Sequence, residues 1–77
     1  MSKFFYAKIK FCGEDGFDQI ELDNKGRSLI RQWLPNTSET VELFKKFDAV
    51  EVPMEELDTI YAEGNRLNYE DYYSRSQ

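Results

Sequence analysis

The most informative feature of this 77-residue sequence is what it lacks. It contains no histidine, and its only cysteine is Cys12. Without imidazole, the usual general base and the Ser/His and Cys/His nucleophile pairs are missing, so we expect a protein that is not an enzyme. Zinc sites draw on thiolates and imidazoles, and one cysteine cannot form an internal disulfide. We therefore expect no metal, no cofactor and no cross-link, and a function that depends on binding.

Long apolar runs are also missing. No stretch approaches the roughly 18 consecutive apolar residues of a membrane-spanning helix. The amino-terminal residues reach charged lysines too soon for a secretory signal. Together with the unpaired cysteine, these features predict a cytoplasmic protein with no membrane contact. At this length we expect a single small domain over residues 1–77.

The first third of the chain has the pattern of a β-hairpin. In residues 3–12 the odd positions are apolar: Phe5, Ala7, Ile9 and Phe11. This alternation is typical of a strand with one buried face. Residues 13–16, Gly-Glu-Asp-Gly, predict a turn, and residues 17–23 a second strand. A four-residue loop would pair Cys12 with Phe17, and its register then has four cross-strand pairs: Ile9–Ile20, Ala7–Leu22, Lys8–Glu21 and Lys10–Gln19.

Residues 24–34 allow two interpretations. The apolar residues Leu29, Ile30, Trp33 and Leu34 form two pairs four apart, which favours a short amphipathic helix ended by Pro35. Residues 23–26 resemble a tight turn, which would make residues 27–33 a third strand. Because the doubled apolar pairs break strict alternation, the helix is the preferred interpretation and the strand the alternative.

The second half predicts helices. Asn36, followed three residues later by Glu39, resembles a helix start, and the apolar face of this helix comprises Leu43, Phe44 and Phe47. Residues 49–52 are predicted to be extended. A second helix would begin at Pro53, direct Leu57, Ile60 and Tyr61 inward, and end at Gly64. Residues 65–77 would form a short helix or a flexible tail. The predicted fold is α+β, an antiparallel hairpin of two or three strands packed against two to three short helices.

The negative charge is concentrated in the second half of the chain. Of the formal net charge of −5, residues 1–36 contribute +1, and residues 37–77 contribute −6. Two interpretations follow. The carboxylates either keep a small domain soluble, or they form one anionic surface that steers a basic partner.

The predicted partner-binding residues combine these carboxylates with tyrosines. They are Glu51, Glu55, Glu56, Asp58, Tyr61, Glu63, Tyr69, Glu70, Asp71, Tyr72 and Tyr73. Such a surface suits another protein with a basic site, such as a nucleic-acid-processing complex, because carboxylates can take the place of phosphates. Phage-type inhibitors of nucleases or CRISPR effectors share this general character of small size, acidity and absent catalytic residues, although no specific family motif is present. We expect a non-catalytic protein-binding module, and an inhibitor in particular.

Two other functions stay open. A structural or regulatory subunit would use Trp33, Phe44 and Phe47 as the seam of a homodimer or complex. A binder of single-stranded nucleic acid would use the first strand, where lysines alternate with aromatic residues: Lys3, Lys8 and Lys10 with Phe4, Tyr6 and Phe11. Because the net charge repels phosphate, direct nucleic-acid binding is not expected.

Overall fold

A computed structural model describes residues 2–75 as a four-stranded mixed sheet with two helices. The elements in chain order are β1 (Lys3–Phe11), β2 (Glu14–Leu22), β3 (Ser28–Pro35), α1 (Ser38–Lys46), β4 (Val50–Glu51) and α2 (Met54–Arg75). The strand order is β3-β2-β1-β4, with β4 parallel to β1 and the other pairs antiparallel. The predicted α+β class is confirmed, and the helices within the described residues number two.

The hairpin forms, but its turn and register differ from the prediction. The turn is Cys12-Gly13, with positive φ angles of 52° and 79°, and Phe11 pairs with Glu14. Two consecutive positive φ angles match the two-residue turns that suit the twist of a hairpin. Ile9 therefore pairs with Gly16 instead of Ile20, a slip of four residues. Because four is even, every side chain keeps its predicted face, since alternation determines the face and the turn determines the register.

Residues 28–35 form a third strand, so the preferred helical interpretation is wrong. The turn before β3 is stabilised by Asp23, whose Oδ1 accepts the N–H groups of Lys25 and Arg27, each at 2.9 Å. A bulge beside Leu22 then shifts the register at the start of β3. The doubled apolar pairs are divided between the two faces of β3, and Leu29, Ile30 and Trp33 are exposed, so the pairs do not form the single buried face of a helix.

The two helices cover opposite faces of the sheet. On one face, the ring of Phe44 from α1 stacks on Tyr6 at 4.1 Å and meets Phe17 edge-on at 5.1 Å. On the other, Leu57 of α2 packs against a buried cluster that includes Ala7 and Ile20. Tyr6 and Ala7 are neighbours in β1, and neighbouring side chains in a strand point to opposite faces. The molecule therefore has three layers.

Helix α1 begins one residue later than predicted. Thr37 is the N-cap, and its Oγ1 accepts the N–H of Thr40 at 3.3 Å. Of the predicted apolar face only Phe44 is buried, while Leu43 and Phe47 are about half exposed.

Helix α2 does not end at Gly64, and this prediction is also wrong. The helix continues to Arg75 and so includes residues 65–75 of the predicted tail, whose residues 76 and 77 lie outside the described part. Gly64 is buried against β3, where an added Cβ would lie 2.1 Å from Ser28 Oγ and 2.8 Å from Ser28 N. Glycine at this position permits close packing of the helix on the sheet.

Candidate protein-binding surface on helix α2

Helix α2 contains all but one of the predicted partner-binding residues. The exception, Glu51, lies on β4 beside Tyr6 and therefore on the α1 face of the sheet. Its carboxylate lies 3.9 Å from the ammonium group of Lys8. Burial raises the pKa of Tyr6, and the nearby Glu51 charge raises it further. The structure thus separates Glu51 from the other predicted residues.

Most carboxylates of α2 belong to ion-pair groups of a common design. In each group one arginine contacts two carboxylates, which we call a carboxylate–arginine triad. The triads are Asp18–Arg31–Asp58, Asp23–Arg27–Asp71 and Glu63–Arg66–Glu70. The first joins α2 to the sheet, the second joins it to the β2–β3 turn, and the third lies within α2.

The Arg31 triad links β2, β3 and α2. Its Nη2 lies 2.6 Å from Asp18 Oδ2 and 2.8 Å from Asp58 Oδ1. The guanidinium also lies 4.8 Å from the ring centroid of Tyr61, a cation–π distance. Hydrogen bonds to Asp18 and Asp58 raise the pKa of Arg31 although burial opposes this. Tyr61 is half-buried beneath this arginine and contributes to the packing of α2 on the sheet.

The Arg27 triad joins the β2–β3 turn to the later part of α2. Arg27 Nε donates to Asp23 Oδ2 at 2.6 Å, and Nη1 donates to Asp71 Oδ2 at 2.9 Å. Desolvation would raise the pKa of Asp23, but hydrogen bonds from the backbone and guanidinium of Arg27 and from the Lys25 backbone lower it.

We expect Asp23→Asn to reduce stability near neutral pH and to have a smaller effect in acid. The lowered pKa means that ionised Asp23 stabilises the fold above its ordinary pKa of 3.8, and that this contribution is lost as the pH falls through the lower folded-state value. Thermal unfolding at about pH 7 and about pH 2 measures the difference. Asp15→Asn is the control, because Asp15 is exposed and its only ion pair among the described residues, with Lys10, spans 4.0 Å. An equal effect of Asp23→Asn at both pH values would contradict a lowered pKa of Asp23 in the folded protein.

The Arg66 triad lies on the exposed side of α2. Arg66 Nε donates to Glu63 Oε2 at 3.0 Å, and Nη1 pairs with Glu70. The hydrogen bond from Arg66 lowers the pKa of Glu63, against a smaller opposing effect of desolvation. Spacings of three and four residues place these side chains on adjacent turns of the helix.

The triads leave a net negative charge on this side of the molecule, because each arginine is shared by two carboxylates. We define the α2 surface as the three triads with Glu55 and Glu56, two exposed residues of the first helical turn that form no ion pair among the described residues. This surface has eight carboxylates and three arginines, a net charge of −5. The other seven acidic and seven basic residues of the chain cancel in number, and one of them, Lys25, lines a cavity with Glu70 and Asp71.

Three predicted tyrosines lie together near the carboxyl-terminal end of α2. The ring centroid of Tyr73 lies 5.1 Å from that of Tyr69 and 5.7 Å from that of Tyr72, and all three side chains are exposed. Exposed tyrosines beside charged groups are common anchors of protein interfaces. The structure thus adds an aromatic cluster to one end of the α2 surface.

The lysine and aromatic residues of β1 do not form one open surface on which nucleic-acid bases could stack. The ring of Phe47, the C-cap residue of α1, is tilted against Phe4 with centroids 5.2 Å apart, and Phe44 stacks on Tyr6, so both rings of β1 contact α1 or its C-cap. Lys8 is near Glu51, and Phe11 lies on the opposite face of the sheet from Lys8. This arrangement weakens the case for nucleic-acid binding through the hairpin.

Five members of the triads were missed by sequence analysis: Asp18, Asp23, Arg27, Arg31 and Arg66. Position along the chain separates the first four of these charges from those of α2, whereas the fold brings the hairpin and α2 together. One signal was present in the sequence. Asp18 shares its face of β2 with the buried Ile20 and Leu22, and an acidic residue on a buried face indicates a nearby cation.

Comparisons with family models, curated proteins and solved structures give no match. Within the described residues, no three histidine, cysteine, aspartate or glutamate side chains cluster as a metal site. No helix in this part of the chain is both long enough and apolar enough to cross a membrane. The functional interpretation therefore depends on the α2 surface itself.

Proposed function

We propose that the protein is a non-catalytic binding module whose α2 surface contacts a basic site on a partner protein and blocks that site. The observation that carries this proposal is the sharing of each arginine by two carboxylates, which leaves a charge of −3 on the three triads. Glu55 and Glu56 bring the α2 surface to −5. A partner that normally binds the phosphates of a nucleic acid has the complementary charge. The proposed role is therefore inhibition of a nucleic-acid-processing protein or complex.

The triads support the proposal in a second way, because they hold carboxylates in place before binding. Glu56, Glu63 and Glu70 recur every seven residues, so they follow one side of α2 at intervals of roughly 10 Å. Arg66 restrains two of them. Restrained side chains lose less conformational entropy when a partner binds. The fixed array would attract the partner over a distance, and the tyrosine cluster would contact it at close range.

The experiment compares two double variants that each remove two negative charges from one helix. Glu55→Gln/Glu56→Gln changes the start of α2, and Glu39→Gln/Glu42→Gln changes exposed positions of α1. Partners are captured from a lysate of the native cells with the wild-type protein and identified by mass spectrometry. Affinities for the purified partner are then measured at low and high salt.

We expect the α2 double variant to bind about tenfold more weakly at low salt, and the α1 double variant to bind within about twofold of wild type. A short DNA duplex should compete with the wild-type protein for the partner, because both would occupy the same basic site. Equal effects of the two double variants, or binding that a DNA duplex does not reduce, would contradict the proposal.

A further inference from the structure

Strand β3 is a long open edge of the sheet. It is the first strand in the order β3-β2-β1-β4 and has eight residues, whereas β4 at the other edge has two. Exposed edge strands expose backbone groups that can pair with another chain, and many proteins protect them with lysine or proline. From Ser28 to Leu34, β3 has neither residue, and its only charged side chain, Arg31, is held by Asp18 and Asp58.

The hydrogen-bond pattern shows which backbone groups point to the open edge. The N–H of Asn36, just after β3, donates to the carbonyl oxygen of Asp15 at 3.3 Å. In an antiparallel pair, alternate residues point their N–H and C=O groups toward the neighbouring strand. The backbone N–H and C=O groups of the even-numbered residues from 30 to 36 therefore point toward β2. Those of Arg31 and Trp33 point outward, to the open edge.

We propose that β3 pairs antiparallel with β3 of a second copy of this chain, across a twofold axis at Gln32. The two four-stranded sheets then form one continuous sheet of eight strands. In this register Arg31 lies opposite Trp33 of the second copy, and Ile30 lies opposite Leu34. The outward groups of Arg31 and Trp33 form the hydrogen-bonded pairs, as their orientation requires.

Gln32 specifies this register. Its Nε2 donates to Gln19 Oε1 at 2.9 Å, and among the described residues neither the second N–H of this amide nor its Oε1 has a partner. On the twofold axis two Gln32 residues form a non-hydrogen-bonded backbone pair, in which side chains lie closest. Each amide then donates its second N–H to the Oε1 of the other. A register centred on Arg31 would instead place two guanidinium groups opposite each other, which is unfavourable.

The chemistry of the edge favours a second copy as the occupant, because the strand is complementary to itself. Because of the twofold symmetry, each contact occurs twice. The guanidinium of Arg31 lies beside the indole ring of Trp33 of the other copy, and Ile30 makes an apolar contact with Leu34 of the other copy. The exposed side chains of Ile30 and Trp33 would lose contact with water. Phe11, whose ring lies 6.3 Å from Trp33, extends this apolar edge toward the tip of the hairpin.

Pairing within one sheet places both α2 helices on the same face, because the twofold axis is perpendicular to the sheet. The dimer would thus present two α2 surfaces, each with a charge of −5, on one side. This inference does not depend on the proposed function: a monomer could still bind a basic partner, and a dimer could form without one. Since like charges on the two helices repel, added salt should strengthen the dimer.

Sedimentation velocity between about 1 and 100 µM tests the dimer with matched variants at the two edges of the sheet. Ile30→Lys changes a side chain that is 48% exposed on β3, and Val50→Lys changes one that is 50% exposed on β4. Gln32→Lys is a third variant, in which the ammonium group can still donate to Gln19 and two ammonium groups meet at the axis. Far-UV circular dichroism verifies folding of each variant.

We expect a wild-type dimer whose dissociation constant rises about tenfold or more in Ile30→Lys and in Gln32→Lys, and changes little in Val50→Lys. A wild-type protein that stays monomeric over the whole concentration range would overturn the proposal. So would a dimer that Val50→Lys disrupts and the folded β3 variants do not. Neither outcome would alter the expected binding of a basic partner by α2, which is measured separately.

Discussion

Gly64→Ala is expected to destabilise the protein by about 1–3 kcal/mol, although it replaces glycine inside a helix. Helix propensity alone predicts the opposite sign, a gain of roughly 1 kcal/mol. The structure reverses this expectation because the new Cβ would lie 2.1 Å from Ser28 Oγ and 2.8 Å from the Ser28 backbone nitrogen. A different rotamer of the Ser28 side chain can relieve the first contact, with loss of its hydrogen bond to the Tyr61 carbonyl oxygen, but only movement of α2 or β3 can relieve the second.

Urea denaturation of Gly64→Ala and wild type measures the effect. Asn65→Ala is the matched control, because it changes the next residue of the same helix at an exposed position and should alter stability by less than about 1 kcal/mol. Adding Ser28→Ala to Gly64→Ala should restore only part of the lost stability, since the backbone contact remains. A Gly64→Ala protein as stable as wild type would mean that α2 packs less closely on β3 than described.

Arg31→Met is expected to cost about 2 kcal/mol of unfolding free energy. The substitution keeps much of the aliphatic volume but removes the hydrogen bonds to Asp18 and Asp58 and the contact with Tyr61. Asp18 would then be an unpaired carboxylate whose side chain is only 13% exposed. The expected cost is below that of breaking a fully buried pair, because the Arg31 side chain itself is 26% exposed and water screens the interaction.

Arg66→Met provides the comparison, since Arg66 also contacts two carboxylates but lies on the outer side of α2. Its side chain and both partners are more than half exposed, so we expect a much smaller loss of stability. Chemical denaturation of both variants at one pH and salt concentration makes the comparison. If the two variants lost the same stability, the Arg31 triad would contribute no more than a surface ion pair, and its role in docking α2 would be wrong.

In the hairpin, the sequence pattern predicts the face of each side chain but not the register of the two strands. Alternation in residues 3–11 assigned each side chain to its face, and the structure keeps those faces. The register was wrong because alternation repeats every two residues and cannot distinguish slips of two or four. The tight turn decides the register, and Cys12 at a φ of 52° in that turn is a conformation that propensity disfavours for residues other than glycine.

The errors at β3 and Gly64 have a common cause. Leu29, Ile30, Trp33 and Leu34 were interpreted by their spacing alone, and Gly64 by its usual role at helix ends. Both interpretations consider a segment by itself and leave out the elements that pack against it in the fold. In the fold, β3 pairs with β2 along its length, and Gly64 lies where α2 contacts β3. Packing of this kind overrides local propensity.

The candidate site was predicted in part. The concentration of acidic residues and tyrosines after residue 50 is a property of composition, and ten of the eleven predicted residues do lie on α2. Whether those carboxylates are paired depends on contacts between distant parts of the chain. Arg27 and Asp71 are 44 positions apart, and Arg31 and Asp58 are 27 apart.

By itself, the sequence determined the α+β class, the faces of the hairpin, the net charge of −5 and the absence of histidine. These properties depend on composition or on periods of a few residues, which need no knowledge of the fold. Only the tertiary structure decided the hairpin register, the third strand, the length of α2 and the sharing of three arginines among six carboxylates. Each of these depends on which distant segments pack together, because the energies of packing and ion pairing are set by neighbours in space.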